Sequence, residues 1–272
     1  MAVGVSEPEK AQIARRFNRH AGTYDRYARA QQRLADELLE RVPGLVGPGA
    51  AILELGCGTG YVTERLADRF PEARIVGIDL AERMVAATAR RTGSRATIEL
   101  IVGDAERHPW PEGAFDAIVS SSTIQWFTHP RTTMARLARS LRPGGRMLHT
   151  AFGPDTFREL FALVEQVEAE RRLESRTGRV FALRSADDWA RELEHAGMRD
   201  VTAGHALVEY RYASCRELLA EIARTGASYN PAGRGRFDVL AEVARRYDRE
   251  WQSAGGVVAT YDLVHVEGRV SG

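Results

Sequence analysis

The sequence predicts an α/β fold in which helices cover both faces of a mostly parallel sheet. Between residues 50 and 152, short apolar runs alternate with amphipathic stretches of helical period, which is typical of strand-helix-strand units. The run ILELGCGTG at 52–60 ends the first of these strands with three glycines at alternate positions. After Gly153 the alternation gives way to mostly helical patterns. We therefore expect seven strands, with an antiparallel strand at one edge.

The predicted elements follow one another with few long loops. The stretch 9–41 has helical periodicity broken near His20-Ala21-Gly22, which predicts two helices with a bend. The core then alternates through AAILEL, 61–70, ARIVGIDL, 81–91, ATIELIVGD, FDAIVSSST, 131–141 and GRMLHTAF. LRPGGR at 141–146 predicts a helix end and a turn into the strand that starts near Met147.

The C-terminal part predicts helices near 155–174, 185–196, 214–226 and 235–253, with strands at 200–212 and 257–267. VVATYDLVHVEG alternates as an edge strand does. No repeat or long flexible linker divides the chain. We expect one domain over 1–272, with a helical lid at 1–45, a ligand-binding core at 50–152, and an acceptor-side insertion with the last strands at 153–272.

Composition and charge narrow the class of protein. A formal net charge of +1 argues against a strongly basic nucleic-acid binder, and Lys10 is the only lysine. Cys57 and Cys215 lie far apart and match no metal-ligand or disulfide pattern. The sequence shows neither a signal-peptide pattern nor an apolar run of the ~20 residues that span a bilayer. We expect a cytoplasmic protein that binds no metal and no membrane.

The glycine run is the first candidate for a binding site. Glycines at 56, 58 and 60 allow positive φ and let a ligand approach the backbone closely. A dinucleotide fingerprint has its third glycine three residues after the second, but Tyr61 stands there. Glu54, two residues before the loop, disfavours a pyrophosphate and suits a ligand with positive charge.

The pattern Glu-x-Gly-x-Gly-x-Gly resembles the first motif of the class I S-adenosylmethionine-dependent methyltransferases. Asp79 ends the second strand, 19 residues after Gly60, and Asp104 ends the third. FDAIVSSSTIQW and LRPGGRMLHT resemble that family's fourth strand and its turn into the fifth. The resemblance implies a Rossmann-like fold and S-adenosylmethionine as cofactor. It implies that Asp79 binds the ribose hydroxyls and that Asp104 and the Ala105 amide lie near adenine. The other residues that it implies contact the cofactor, in the loop and at the strand ends, are Glu54, Gly56, Cys57, Gly58, Gly60 and Leu80.

The flanks resemble a narrower family, the malonyl-acyl-carrier-protein O-methyltransferases (BioC), which open pimelate synthesis for biotin. RFNRHAGTYDRYARAQQ at 16–32 matches that family's N-terminal signature at Phe17, Ala21, Tyr24, Asp25, Gln31 and Gln32, and departs from it at His20 and Gly22. IQWF, GPDTFREL, TGRVFALRSADDWARELEHAGM, LLAEIARTGAS and ATYDLVHVEGRV extend the resemblance over almost the whole chain. It implies methylation of the free carboxylate of a malonyl thioester.

This chemistry needs no catalytic acid or base, because a malonyl carboxylate is already ionised near pH 7. An arginine fork would orient the carboxylate, and Arg176, Arg179 and Arg158 are the candidates. Trp126 follows the fourth strand, where it could form a wall beside the methyl group or the acceptor, and packing in the core is an equal alternative. The resemblance places Tyr24 and Gln31 on a helix over the cofactor's methionine carboxylate, although Tyr24 packed against the sheet is an equal alternative.

The partner implied by the resemblance is an acyl-carrier protein carrying malonyl phosphopantetheine, or malonyl-coenzyme A. Carrier proteins are acidic, so a basic rim would steer one to the entrance, and RFNRH, RRLESRTGR and GRGRFD are candidate segments. The sequence leaves open the choice between carrier protein and coenzyme A, the arginine that binds the carboxylate, and the oligomeric state.

Other interpretations stay open. Glu54 could cap the following helix, Asp79 could form a turn, and Cys57 could be a small loop filler. A small-acid methyltransferase like trans-aconitate methyltransferase would share the scaffold, as would a BioC-like assembly factor that does not methylate. A nucleic-acid amino-methyltransferase is disfavoured, since SSSTIQW stands where that class carries Asn/Asp-Pro-Pro-Tyr/Phe.

Overall fold

A central sheet with helices on both faces organises the chain. The computed structural model describes residues 7–44, 46–173, 183–226 and 237–272. The helices are Glu7–His20 (α1), Tyr24–Tyr27 (α2), Arg29–Arg41 (α3), Tyr61–Arg69 (α4), Glu82–Thr92 (α5), Pro130–Ser140 (α6), Arg158–Glu170 (α7), Ala186–His195 (α8), Cys215–Arg224 (α9) and Phe237–Glu250 (α10). The strands are Ala51–Leu55 (β1), Arg74–Asp79 (β2), Ile98–Val102 (β3), Phe115–Ser121 (β4), Leu141–Phe152 (β5), Arg199–Tyr212 (β6), Gln252–Ser253 (β7) and Gly256–Arg269 (β8).

The strand order confirms the predicted fold class. The sheet runs β3-β2-β1-β4-β5-β8-β6, with the two-residue β7 paired to β8. Strands β1 to β5 pair in parallel, and β8 is antiparallel to both of its neighbours. The order reverses between β1 and β4, which is where ligands bind in open α/β sheets.

One detail of the sheet differs from expectation. The segment predicted as an antiparallel edge strand, β8, lies between β5 and β6, and β6 forms the edge. The alternating polar residues of β8 predict a solvent-exposed face. In the structure Thr260 and Asp262 are buried instead, 0% and 1% exposed, because their polar groups bond to Glu159 and to the Asp155 backbone amide.

The central position of β1 explains its almost continuous apolar sequence. All five residues of AILEL are buried, since β2 and β4 flank the strand and helices cover both faces. Leu53 and Leu55 belong to the apolar cluster on one face of the sheet, and Ile52 belongs to the cluster on the other face. Glu54 is therefore an ionisable residue within a strand whose residues are all buried.

Helix α3 joins the N-terminal region to two parts of the core. Ala30 and Leu34 pack in the cluster formed by α7, α9, α10 and the first half of β8. Ala35, Leu38 and Leu39 pack with β1, α4 and β2. The Thr150 hydroxyl on β5 also donates to the Leu34 carbonyl at 3.1 Å. These contacts support the prediction that the predicted lid and both halves of the chain form one domain.

The buried carboxyl group of Glu159 joins α7 to strand β8. Glu159 is 2% exposed and accepts hydrogen bonds from the Thr260 amide at 3.1 Å and from the Thr260 hydroxyl. The Tyr212 and Tyr261 hydroxyls, on β6 and β8, lie 2.9 Å apart. The segment after the fifth strand is thus bound to β8, which is bound in turn to β6.

Two absences concern the described residues alone. Within them, no helix is both long and apolar enough to cross a bilayer. No group of three or more His, Cys, Asp or Glu side chains in the described ranges has an arrangement that could hold a metal ion.

Leu34 tests the one-domain prediction, because it is fully buried on the helix that joins two clusters. Leu34→Ala should lower the free energy of unfolding by about 2–5 kcal/mol, and chemical denaturation should still show one transition. Arg33→Ala is the matched control, because the Arg33 side chain is 57% exposed on the same helix; its effect should stay within about 0.5 kcal/mol. Two transitions, only one of them shifted, would show separate domains.

Candidate functional site

Two adjoining cavities open at the carboxyl ends of the parallel strands. The first cavity is lined by Lys10, Ile13, Phe17, Tyr24, Gly56, Gly58, Ile78, Asp79, Leu80, Met84, Gly103, Asp104, Ala105, Ser121, Ser122, Thr123, Trp126 and Phe127. The second cavity is lined by Tyr24, Asp25, Ala28, Gln31, Gln32, Ala35, Glu54, Gly56, Cys57, Gly58, Thr59, Tyr61, Val62, Ser121 and Ser122. Their common wall is formed by Tyr24, Gly56, Gly58, Ser121 and Ser122. The site therefore suits one extended ligand, or two ligands that meet at this wall.

The three loop glycines meet three different requirements. All have positive φ, at +74° for Gly56, +56° for Gly58 and +84° for Gly60. A Cβ on Gly56 would overlap the Thr123 side chain, and one on Gly60 would lie 2.9 Å from the Thr88 Cα. At Gly58 the nearest atom is 4.0 Å away. Packing within the protein thus explains two of the glycines, and Gly58 leaves its space open to both cavities.

Asp79 fixes the glycine loop and stays available to a ligand. Its Oδ2 accepts from the Gly58 amide at 3.0 Å, and its Oδ1 accepts from the Ala81 amide at 2.8 Å. Burial raises the pKa of Asp79 to about 6, although both amide donors act in the opposite direction. A carboxylate oxygen can accept a second hydrogen bond, so Asp79 can also receive the hydroxyl hydrogens of a ribose.

Glu54 is the second buried carboxyl group at the site. Burial raises its pKa to about 8, the Thr63 hydrogen bond opposes that rise, and the charge of Asp79 adds to it. The bond from Thr63 comes from the side-chain hydroxyl at 2.6 Å, so Glu54 ties β1 to α4 without capping a backbone amide. A cationic group bound in the second cavity would stabilise the ionised form of Glu54.

Asp104 already has a cationic partner. The Lys10 ammonium lies 2.7 Å from Asp104 Oδ2 and also contacts Glu106, and Lys10 is 6% exposed. The sequence analysis gave Lys10 no role, although its being the single lysine was a signal. The ion pairs hold α1 over one end of the first cavity, where the resemblance predicts that adenine binds. Ala105 lines the same end.

Aromatic side chains join the N-terminal helices to the loop after β4. Phe17 on α1 makes edge contacts with Tyr24 at 6.2 Å and with Trp126 at 6.1 Å between ring centroids. Burial raises the pKa of Tyr24, and the charges of Asp79 and Asp25 raise it further. Tyr24 therefore keeps its proton and can donate a hydrogen bond to a ligand at the common wall.

The structure brings together most of the predicted residues. Tyr24, Gln31, Trp126 and every predicted loop and strand-end residue except Gly60 line one or both cavities. Gly60 instead packs against α5. Cys57 is buried, and burial raises its pKa, which fits a loop residue rather than a nucleophile. Which ligand atom each side chain contacts stays a prediction.

The predicted carboxylate-binding arginines are a different case. Arg158 begins α7, its side chain is 50% exposed, and it pairs with Glu159 at 3.4 Å; it is not among the residues lining either cavity. Arg176 and Arg179 lie outside the described residues. Sequence reasoning also passed over Ser122, on the common wall, whose signal was only its place in the fourth-strand motif.

The high pKa of Glu54 makes stability depend on pH. A carboxyl group whose pKa rises from 4.5 to about 8 on folding stabilises the fold most at pH below 4.5, and that contribution is lost as pH rises through 8. Glu54→Gln should remove it, so between pH 5 and 8 the wild type should lose at least ~1 kcal/mol more unfolding free energy than the variant. Chemical denaturation across pH measures this difference.

Thr63→Val is the matched control, because it removes the hydrogen bond that lowers the pKa of Glu54 and keeps the side-chain shape. It should extend the loss of stability to higher pH. Equal pH dependence in the wild type and Glu54→Gln would contradict the assignment of a neutral Glu54 in the ligand-free fold.

Comparisons with solved structures support the fold. The YcgJ protein of Bacillus subtilis is 15% identical, with a TM-score of 0.61 over 89% of this chain and 99% of that chain. Haemonchus contortus phosphoethanolamine N-methyltransferase 2, solved with S-adenosyl-L-methionine, is 18% identical, with a TM-score of 0.61 over 94% of this chain and 57% of that chain. A family model described as "Methyltransferase domain" matches residues 53–149. The prediction of a methyltransferase fold is confirmed.

Named relatives match nearly the whole chain. The malonyl-acyl-carrier-protein O-methyltransferase of Paenibacillus sp. strain JDR-2 is 34% identical over 93% of this chain and 96% of its own length. The protein of the same name from Brevibacillus brevis is 32% identical over 95% of both, and that from Geobacter sulfurreducens is 33% identical over 96% and 99%. The chain belongs to the malonyl-acyl-carrier-protein O-methyltransferase family.

Proposed function

We propose that this protein methylates the free carboxylate of a malonyl thioester carried by an acyl-carrier protein, the entry to pimeloyl synthesis for biotin. One observation carries the proposal: a two-part cavity with buried carboxyl groups lies in a chain that matches proteins of that name end to end. We further propose that residues 1–272 form a single methyltransferase domain working in the cytoplasm.

The residues of both cavities fit the proposed cofactor. S-adenosylmethionine, when bound, supplies an electrophilic methyl group on a cationic sulfur. A carboxylate oxygen takes the methyl group and the sulfur leaves, which gives an ester and S-adenosylhomocysteine. Asp79 supplies negative charge beside Gly58, and a cationic group bound beside Glu54 would favour the ionised form of that carboxyl group. Ile13, Phe17 and Met84 give the first cavity an apolar wall for a flat base. Ala105 and Leu80 lie at the ends of β3 and β2, beside that wall.

No residue of the chain needs to remove a proton in this reaction, since the malonyl carboxylate is ionised at neutral pH. The chain's contribution is alignment of the reacting groups and exclusion of water. Phe17, Tyr24 and Trp126 form a contacting aromatic row over the cavities. Asp25 holds that row in place by binding the Thr59 hydroxyl at 2.5 Å and the Arg91 guanidinium.

A basic surface beside the cavities suits an acidic carrier protein. We name it the α1–α2–α9 surface. Arg26, Tyr27 and Arg224 are in contact there, and the exposed Arg15 and Arg19 lie on α1, whose backbone at residues 16–17 is beside Gly226, after α9. The guanidinium carbons of Arg26 and Arg224 lie 5.7 Å and 4.8 Å from the centre of the Tyr27 ring. The nearby acids are engaged elsewhere: Asp25 pairs with Arg91, and Glu221 pairs with Arg29. Unpaired positive charge next to the entrance would steer an acidic partner.

The α1–α2–α9 surface can be tested by charge reversal. Arg26→Glu with Arg224→Glu should lower kcat/KM for malonyl-carrier protein by about tenfold or more, mainly through slower association at low salt. The same pair should leave kcat/KM for malonyl-pantetheine within about twofold, since that acceptor has no protein to dock. Arg69→Glu with Arg90→Glu, exposed residues in the last turns of α4 and α5, is the charge-matched control. Equal losses on both acceptors would contradict docking at this surface.

The proposed reaction is tested by methyl transfer from radiolabelled S-adenosylmethionine. Malonyl-carrier protein, malonyl-coenzyme A, succinyl-carrier protein and trans-aconitate are compared, and each product is checked for release of label in base. We expect a base-labile methyl ester on the malonyl thioesters alone. Transfer to trans-aconitate would favour a small-acid methyltransferase. No transfer to any acceptor, with the cofactor still bound, would favour a non-methylating role.

Cofactor-site variants give the controls for that assay. Asp79→Ala and Gly58→Arg should abolish both transfer and calorimetric binding of S-adenosylhomocysteine, because the first removes the loop anchor and the second fills the cavities. Gly93→Ala is a matched control: Gly93 also has positive φ, +65°, but faces open space outside the site. Retained tight binding in Gly58→Arg would contradict the loop assignment.

A further inference from the structure

Three consecutive serines end β4, and their hydroxyls differ. The Ser120 hydroxyl donates to the Leu55 carbonyl at 3.1 Å, and the Ser121 hydroxyl is hydrogen-bonded to the Thr150 hydroxyl at 3.2 Å. The Ser122 hydroxyl oxygen is buried and has no hydrogen-bond partner among the described residues. A buried hydroxyl without a partner costs about 1–3 kcal/mol, so its retention at this position needs an explanation.

The backbone of Ser122 is also in an uncommon conformation. Its φ is +57°, a left-handed value that a residue with a Cβ rarely adopts. Two contacts hold it there: the Ser122 amide donates to the Thr150 carbonyl at 2.8 Å, and the next residue, Thr123, packs into the space left by Gly56. Strained residues held by their surroundings cluster at ligand sites.

The position of Ser122 shows what the hydroxyl could bind. Ser122 lies on the common wall of the two cavities, together with Tyr24. The second cavity already has Glu54 for a cationic group. An anionic acceptor instead needs hydrogen-bond donors where the two cavities meet.

We propose that the Ser122 hydroxyl donates a hydrogen bond to the acceptor carboxylate and orients it for methyl transfer; this inference rests on the function proposed above. The carboxylate oxygen that attacks forms its bond to the methyl carbon while the bond from that carbon to sulfur breaks. The second oxygen remains to accept the hydrogen bond from Ser122. No proton is transferred, so the hydroxyl acts by alignment. Tyr24, which stays protonated at the same wall, is a second donor.

Two substitutions separate the hydroxyl from the backbone strain. Ser122→Ala removes the hydroxyl and keeps the Cβ, whereas Ser122→Gly removes both the hydroxyl and the cost of positive φ. We expect both variants to lower kcat/KM for malonyl-pantetheine by about 10- to 100-fold, as for a hydrogen bond to a charged group. Both should bind S-adenosylhomocysteine within about twofold of the wild type, and Ser122→Gly should unfold at higher denaturant than Ser122→Ala. Ser120→Ala is the matched control and should keep activity within about threefold, because Ser120 also carries a buried hydroxyl on β4 but lines neither cavity.

The outcomes are distinct. Wild-type activity in Ser122→Gly would overturn the proposal, because it would show that the hydroxyl is not needed. A loss of S-adenosylhomocysteine binding equal to the loss of activity would also overturn it, by assigning the hydroxyl to the cofactor. If the wild type itself methylates no malonyl thioester, the proposed function fails first. An active wild type with an unaffected Ser122→Ala leaves that function standing and rejects the role of Ser122.

Discussion

The site depends on two buried carboxyl groups, Glu54 and Asp79, that no cation among the described residues neutralises. They stand on neighbouring strands, close enough for the charge of Asp79 to raise the pKa of Glu54. Burial disfavours the ionised form of both groups and raises both pKa values, while hydrogen bonds from Thr63, Gly58 and Ala81 act in the opposite direction. The same burial thus sets both the shape of the glycine loop and the dependence of stability on pH.

The other acidic residues near the site have cationic partners. Asp104 and Glu106 share the ammonium of Lys10, so both carboxylates after β3 have a cationic partner on the first helix. Asp25 pairs with Arg91 and binds Thr59 of the glycine loop. Ion pairs therefore hold the N-terminal helices on the core at both ends of the cavities. Asp79, which accepts from the Gly58 amide, has no ion-pair partner among the described residues.

The loop after β4 connects three parts of the site. Thr123 fills the space that Gly56 leaves, Gln125 accepts from the Phe152 amide at the end of β5 at 3.1 Å, and Trp126 contacts Phe17. A single short segment thereby touches the glycine loop, the fifth strand and the first helix. This arrangement explains how a strained residue, Ser122, is held at the wall common to both cavities.

The sequence by itself determined the parallel core, the glycine loop, and the acidic residues at the ends of β1 to β3, because strand periodicity and the spacing of Glu54, Asp79 and Asp104 are local in the chain. It did not determine the place of β8, whose buried Thr260 and Asp262 have partners more than 100 residues away. The partner of Asp104 is also distant in sequence, at Lys10. Tertiary contacts decided which glycine faces the cavities and which serine hydroxyl lacks a hydrogen-bond partner. Residues of one type in one motif are alike in sequence, and only packing distinguishes them.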